Sequence, residues 1–439
     1  MKSLIARPTM ARPFAKPFRR LMVGSGVARG AALANPITSG LLAEYWFDEG
    51  SGETLIDHSP NAYDGTLVGS PAWQVGGGLT CTGTQKVNIP AAVFAATKTA
   101  VFAAAKPSTG HRALVGSNEA PGLLLSNSSS RANTLVSSVG FRTLANEYTF
   151  GDQLISYVID ASQDSLYYSD AELTYQSRAG SLADARTNPS IGNGSGSTVP
   201  FGVPIYFALF YSEQLTASQI TELESYVRAR LVAQSGLPNK FVFDGNSLVE
   251  GSANPTPADR FYNKTLAILG GPESAMVALS GQHTSAIATS QAAYPHYSIR
   301  RPKNIYLLWE ITNDLSSGSV TTEQARLNVI TACNNQRNRG SLVVVMSCLP
   351  RPDAGNYTEA NRQTVNAAIR ADFPTNVGTR LYTGASYADI LVDVGSHPTI
   401  GIEGANNDTQ YYNGDKLHLA AGGNELAAID AAAGINYLL

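Results

Sequence analysis

From Gly40 onward the chain shows short apolar or alternating runs separated by clusters of Gly, Ser, Asn, Asp and Pro. Residues 41–47, 65–68, 86–89, 123–126, 154–160 and 165–168 are the clearest such runs. Glu49-Gly50-Ser51-Gly52, Asp64-Gly65 and Asn193-Gly194 supply turn residues between them. Short strands at close spacing with such turns predict an antiparallel β-sandwich. The first helical periodicity comes at residues 216–232, where Ile220, Leu223, Tyr226, Val227 and Leu231 form one apolar stripe. Thr216, followed three residues later by Gln219, fits a capping box at its start. Ser235-Gly236-Leu237-Pro238 then breaks the pattern.

Beyond Pro238 the period changes. Residues 241–243, 305–309, 342–347 and 380–383 read as strands, and residues 321–338, 358–371 and 419–437 as helices. Strands alternating with helices of ten or more residues predict a parallel sheet covered on both faces. Functional residues in such sheets gather beyond the carboxyl ends of the strands. The expected organisation is an arm over residues 1–38, a β-sandwich over 39–234, a linker over 235–239 and an α/β domain over 240–439.

Composition refines this picture at a few points. A chain of 439 residues, 43% hydrophobic, has apolar material for more than one core. A net charge of -3 gives no reason to expect a nucleic-acid partner. The charge is uneven, because Lys2, Arg7, Arg12, Lys16, Arg19, Arg20 and Arg29 all precede the first acidic residue, Glu44. Pro and Arg interrupt the apolar runs there, so the segment reads as a flexible or docking arm rather than a secretory signal. No apolar run reaches the length of a membrane span. Cys81, Cys333 and Cys348 make neither a disulfide framework nor a zinc set, and no metal or other cofactor is expected.

The candidate chemistry begins at Phe243-Asp244-Gly245-Asn246-Ser247-Leu248, where a short strand ends in a turn that presents a serine. A serine hydroxyl is a weak nucleophile until a base takes its proton. A serine in a turn is also a common cap, so this block alone decides nothing. Asp415-Lys416-Leu417-His418 lies just before the last expected helix. Its spacing lets the carboxylate fold back onto Nδ1–H within one turn and leaves Nε2 for the nucleophile. The alternative is a helix-entry Asp beside a surface His. Gly281 in Ser280-Gly281-Gln282 offers a backbone N–H, and Asn313 in Ile311-Thr312-Asn313-Asp314 offers a side-chain amide. With the N–H of Ser247 these are three donors for a developing oxyanion, each typically worth ~3–4 kcal/mol of barrier. A turn glycine and an Asx turn remain the plain alternatives.

Asn246, His283 and Asp314 are further pocket candidates, with Asp314 a partner for the serine loop. His397, four residues after Asp393, is a rival base, but Pro398 and the surrounding loop texture give it no helix entry. Trp309 and Glu310 close a strand near the site, and Trp309 reads as core.

In this order Ser247, Gly281, Asn313 and His418 resemble the SGNH, or GDSL-like, hydrolases over the whole of residues 240–439. The resemblance implies a flavodoxin-like three-layer α/β/α sandwich with Ser247 as nucleophile. It implies His418 as base and then acid, with Asp415 orienting it. The implied oxyanion hole is Ser247 N–H, Gly281 N–H and Asn313 Nδ2. Two departures stand out. Asn246 replaces the Asp of the usual Gly-Asp-Ser-Leu, and Ile311 replaces the Gly usually found two residues before the Asn, which is expected to reshape the pocket floor.

Upstream, the stretch from Ala43 to Gly52, Asp57-His58-Ser59-Pro60-Asn61, Asp64-Gly65-Thr66-Leu67 and residues 204–220 resemble a concanavalin-like, LamG-type jelly roll. Such domains often bind glycans, sometimes with calcium, though no ligand set is assigned and a spacer or assembly role fits as well. Together the two resemblances imply a serine esterase removing O-acetyl groups from a polysaccharide, with the sandwich as a glycan-binding or assembly module. The basic arm suggests a phage tail spike or fibre, hence a virion-associated or extracellular place and an oligomer or larger assembly. The alternatives are a lipase- or arylesterase-like enzyme on small or lipid esters, and a non-catalytic glycan-binding structural protein. For an enzyme, activity is expected to fall as pH drops, because a protonated His418 cannot accept the serine proton.

Overall fold

The protein is described here from a computed structural model. It covers residues 33–439 apart from 106–109, 117–120, 129–130, 133, 138–139, 144–152, 159–164, 169–170, 175–189, 194–199, 252, 291–297 and 319. Residues 1–32 of the expected arm, Gly194 of an expected turn and residues 159–160 of an expected strand lie outside the described residues.

Residues 41–45 and 204–211 are buried almost throughout: Ala43, Tyr45, Ile205, Ala208 and Phe210 enter a shared core, and the side chains between them are covered on the sheet's other face. Leu41–Tyr45 pairs antiparallel with Pro204–Tyr211, which pairs in turn with Thr99–Ala104 and Leu79–Thr80. Thr99–Ala104 continues through Gln153–Val158, Ser165–Tyr168 and Ala171–Thr174, all antiparallel. A second antiparallel sheet runs Arg131–Ala132, Pro121–Ser128, Gly110–Gly116, Ser190–Ile191, Lys86–Asn88, Gly65–Val68, Thr54–Leu55. Tyr45, Leu79, Phe102, Ile205 and Phe210 of the first sheet share one core with Leu55, Val87, Leu114 and Ile191 of the second.

The helix Ala217–Ser235 covers the outer face of the first sheet. Thr216 and Gln219 form a complete capping box at its start. Trp46 stacks 4.2 Å from Phe207 and meets Tyr226 edge-on, while Trp46 Nε1 and Tyr226 Oη both donate to Glu44 Oε1 at 2.7 Å. Gly236, in the left-handed region at φ +62°, ends the helix.

The chain then enters a second region. Its sheet runs Ser274–Met276, Lys240–Gly245, Asn304–Trp309, Leu342–Met346, Ile390–Val392, Leu381–Thr383, Thr375–Gly378. The first five strands pair parallel and the last two pairings are antiparallel, so the sheet is mixed rather than wholly parallel. Phe243, Leu307, Trp309 and Val344 pack on one face with Phe261, Ala427, Ala431 and Ile435 from helices Phe261–Ile268 and Ala421–Leu438. Val242, Tyr306, Leu308 and Val343 pack on the other face with residues of Thr284–Ser290, Thr322–Arg337 and Glu359–Ala371. Both faces are thereby covered, and the polar ends of the parallel strands are left for chemistry.

Residues 35–439 form one compact unit. The seam between its two regions centres on Arg300. The guanidinium lies 4.3 Å over the Tyr206 ring and Nη2 donates to Gly76 O, while Ser235 Oγ donates to Arg300 O at 2.6 Å.

Candidate active site

Three neighbouring strand ends and one distant loop build the site. Lys240–Gly245 ends in the serine turn, Ser274–Met276 leads to Gly281, and Asn304–Trp309 leads to Asn313. Gly245 pairs with Trp309 in the parallel register, so the serine turn and the turn before Asn313 leave the sheet side by side. Gly245 has φ +148°, and a Cβ there would run into Trp309 O. Only glycine lets the two backbones approach this closely.

Asn246 caps the helix Ser247–Glu250, with Oδ1 accepting from Leu248 N at 2.8 Å. Ser247 is the first residue of that helix, and first-turn amides have no partner within a helix. Its side chain is half-buried. Asp244, just before the turn, is fully buried and accepts from Tyr306 Oη at 2.6 Å and Gly245 N at 2.8 Å. Burial outweighs these bonds and pushes its carboxyl up to about 6.

The distant loop brings His418. His418 Nε2 lies 2.8 Å from Ser247 Oγ, and His418 Nδ1 lies 2.6 Å from Asp415 Oδ2. The tautomer satisfying both contacts carries its proton on Nδ1 and presents Nε2 as acceptor. Asp415 Oδ1 also accepts from Leu417 N and His418 N, both at 3.0 Å. Lys416, at φ +60°, makes this tight return possible. Burial works to raise the Asp415 carboxyl, but the His418 ring and the two N–H donors hold it below its ordinary value. Asn254 Nδ2 donates to Leu419 O at 3.0 Å, tying the loop after the serine to the histidine loop.

The remaining blocks are stitched to the serine turn. Leu279 N donates to Gly245 O at 3.2 Å and Ser280 N to Glu250 Oε2 at 2.8 Å. Gly281 is exposed at φ +76°, and a Cβ there would meet nothing within 4 Å, so its backbone faces open space. Asn313 Nδ2 donates to Gln282 O at 3.1 Å, which spends one of its two hydrogens and leaves the other for a ligand. Ser247, His418 and Asp415 thus stand in one hydrogen-bonded line, while Gly281 and Asn313 lie on the segments that leave the two strands flanking the serine strand.

Beneath them sit Asn246, Glu310, Asp314 and His283. Asp314 is buried and accepts from Thr284 N at 3.0 Å and Asn328 Nδ2 at 3.2 Å. His283 Nδ1 is 3.5 Å from Asp314 Oδ1 and its side chain is 40% exposed, so it can reach solvent or substrate. His283, Glu310 and Asp314 are close enough to surround a cation. Their carboxylate oxygens already receive N–H donors, which makes the group a hydrogen-bonded network. Asp48, Glu49 and His58 form a second grouping, on the surface of the β-rich region.

Other candidates fall elsewhere. Asp393 is engaged by Ser347 Oγ and Arg370, and His397 Nδ1 accepts from Thr399 N, so these two do not form a pair. Ile311 is buried with Leu308 and Leu315 in the core on one face of the sheet. Trp309 is also buried, with Nε1 donating to Ser347 O at 3.0 Å. The three cysteines are buried; burial pushes Cys81 up to about 12 and Cys348 to about 11, far from thiolate chemistry at neutral pH. Glu310 is the residue whose part the sequence did not expose; the Asn at 246 was the available signal.

No protein-family model and no curated protein sequence matches the chain. Among solved structures it has weak neighbours. A Trypanosoma rangeli sialidase in complex with sialic acid overlaps 46% of this chain and 34% of its own, at 17% identity and TM-score 0.35. The chain thus spans about a third of that sialidase. Domain 4 of AbnA, a GH43 extracellular arabinanase from Geobacillus stearothermophilus in complex with arabinotriose, overlaps 42% and 98%, at 18% identity and TM-score 0.34. TesA overlaps 46% and 99%, at 15% identity and TM-score 0.33. Among the described residues no helix is long and apolar enough to cross a membrane.

Proposed function

We propose that this chain is a serine ester hydrolase of the SGNH kind. The observation that carries the reading is the continuous line Asp415 Oδ2, His418, Ser247 Oγ, at 2.6 and 2.8 Å. His418 Nε2 takes the Ser247 proton as Oγ attacks the ester carbonyl carbon. The carbonyl electrons move to oxygen, where Ser247 N–H, Gly281 N–H and Asn313 Nδ2 are the available donors. His418 then gives its proton to the departing alkoxide, leaving an acyl-serine. Water, deprotonated by the same Nε2, releases the acid and restores the hydroxyl. Asp415 holds the ring in the productive tautomer and offsets the positive charge that forms on it.

The finer form of the reading is removal of O-acetyl groups from a polysaccharide. The exposed Gly281 edge suits a bulky alcohol portion, and the sequence resemblance of the β-rich region to glycan-binding domains supports a sugar. The basic test compares wild type with Ser247→Ala on p-nitrophenyl acetate. The variant is expected to lose at least ~10³-fold in kcat. Equal rates would remove the reading. Acetate release from a panel of acetylated polysaccharides then tests the finer form; activity rising with acyl length on p-nitrophenyl esters would replace it by a lipase-like enzyme.

A further inference from the structure

Glu310 follows the strand Asn304–Trp309 and is 1% exposed. A carboxyl so deeply buried must be satisfied on both oxygens. Oε1 accepts from Asn313 N at 2.8 Å and Asp314 N at 3.2 Å, so it holds the backbone of the turn that presents Asn313. Oε2 accepts from Asn246 Nδ2, which belongs to the turn that presents Ser247. One side chain therefore bridges the nucleophile turn and the oxyanion turn.

The orientation of Asn246 is fixed from both ends. Its Oδ1 accepts from Leu248 N at 2.8 Å, so only Nδ2 is left to face Glu310. An Asp at 246, the residue of the usual Gly-Asp-Ser-Leu, would turn an oxygen towards Oε2 of Glu310. Two oxygens meeting in a buried site repel unless they share a proton. The departure from the family spelling thus has a physical partner 64 residues away.

We propose that Glu310 is a positioning residue and that Asn246 and Glu310 act as a matched donor–acceptor pair setting the distance between Ser247 and Asn313. The inference rests on the serine-hydrolase reading. Because Asn246 adjoins Ser247 and the N–H of Asn313 lies on Glu310, any slip of the pair moves nucleophile and oxyanion donor apart. Substrate binding is affected less than the reaction itself.

The pair also predicts an unusual pH response. Burial and the nearby Asp314 push the Glu310 carboxyl well above its ordinary range, against three N–H donors that favour its charged form. The groups around it are Asp314, His283 beyond Asp314, the amide of Asn246 and the buried Cys348 thiol. In Asn246→Asp the two carboxyls hold together only while one proton is shared. As pH rises that proton leaves, the turns separate and kcat falls. His418 gives the opposite limb, a loss as pH drops, so the two effects are separable.

The experiment is a four-member cycle of wild type, Asn246→Asp, Glu310→Gln and the double variant, assayed on p-nitrophenyl acetate across pH with Tm recorded. In the double variant the polarity is reversed: the amide introduced at position 310 donates to the carboxylate introduced at position 246, and every other bond is kept. Each single variant is expected to lose about tenfold to a hundredfold in kcat with KM changed by less than about twofold. Asn246→Asp should also acquire the alkaline loss. The double variant should return to within about threefold of wild type and lose that limb. Losses that multiply in the double variant overturn the proposal. So does a double variant that recovers Tm without kcat, which would make the pair structural only, or one that fails to fold. If a single variant does not fold, the double variant against wild type decides. Ser247→Ala is the control: if it is as active as wild type, the serine-hydrolase reading fails, whereas an inactive Ser247→Ala with an additive cycle rejects only the coupling.

Discussion

Asp415 is 46% exposed on its side chain, while the His418 it serves is 18% exposed. The carboxylate is nevertheless held below its ordinary value, so acid must lower the pH past that depressed point before the charge is lost. A depressed carboxyl keeps its charged form above its ordinary value and gives it up only as pH falls through the lowered one. Asp415 is therefore expected to add no proton of its own to the acid limb of kcat/KM near neutrality, where His418 acting as base and the raised carboxyls of Asp244 and Glu310 take up theirs. An Asp415→Asn variant whose residual kcat/KM loses a proton-dependent step from that limb would contradict this. Asp415→Asn, which aims an amide N–H at Nδ1 and drives the ring to the wrong tautomer, should lower kcat on the order of 10²- to 10⁴-fold. The contact between Asp415 and His418 was legible in the sequence because three residues of spacing let the carboxylate fold back onto the ring within one turn. Asp244 with Tyr306, and Asn246 with Glu310, were not legible. A buried pair 62 or 64 residues apart leaves no local pattern, and only the odd Asn at 246 hinted at the second.

The serine turn depends on a strand end and not on the helix that follows, which is only four residues long. Its weak point is Gly245. Gly245→Ala would press a Cβ into Trp309 O and to 2.8 Å from Val249 Cγ2, at a φ of +148° that L-residues avoid. The loss of stability is expected to be on the order of 1–3 kcal/mol, read as a fall in Tm, with kcat reduced beyond what the Tm change explains. A variant with unchanged Tm would show that the two strand ends can part freely. At this scale, long periodic segments were readable. The helix expected over residues 321–338 is Thr322–Arg337, and the capping box at Thr216 is present. Ser274–Met276, Ile390–Val392 and Thr375–Gly378 escaped, since three or four residues are too few to show a period. The antiparallel edge escaped with them, because direction is set by pairing partners and not by the strand's own residues.

Across the molecule, the break at Ser235-Gly236-Leu237-Pro238 was visible as a change of texture, and it lies between the helix ending at Ser235 and the strand starting at Lys240. What spans the break was not visible. Arg300 reaches Gly76 O, 224 residues away, and stacks on Tyr206. Arg300→Ala is expected to split a single calorimetric unfolding transition into two, with p-nitrophenyl acetate turnover retained below the first. One unchanged transition would mean that the seam adds nothing to cooperativity. The seam also bears on how such a chain can be rearranged. Its acceptors are a backbone carbonyl at a glycine turn and the face of one tyrosine ring, features that a foreign module would have to reproduce in place. Cutting at Gly236 and grafting the second region onto another carrier would leave Arg300 without Gly76 O and Tyr206, so such a chimaera is expected to keep its turnover of p-nitrophenyl acetate but to unfold in two steps.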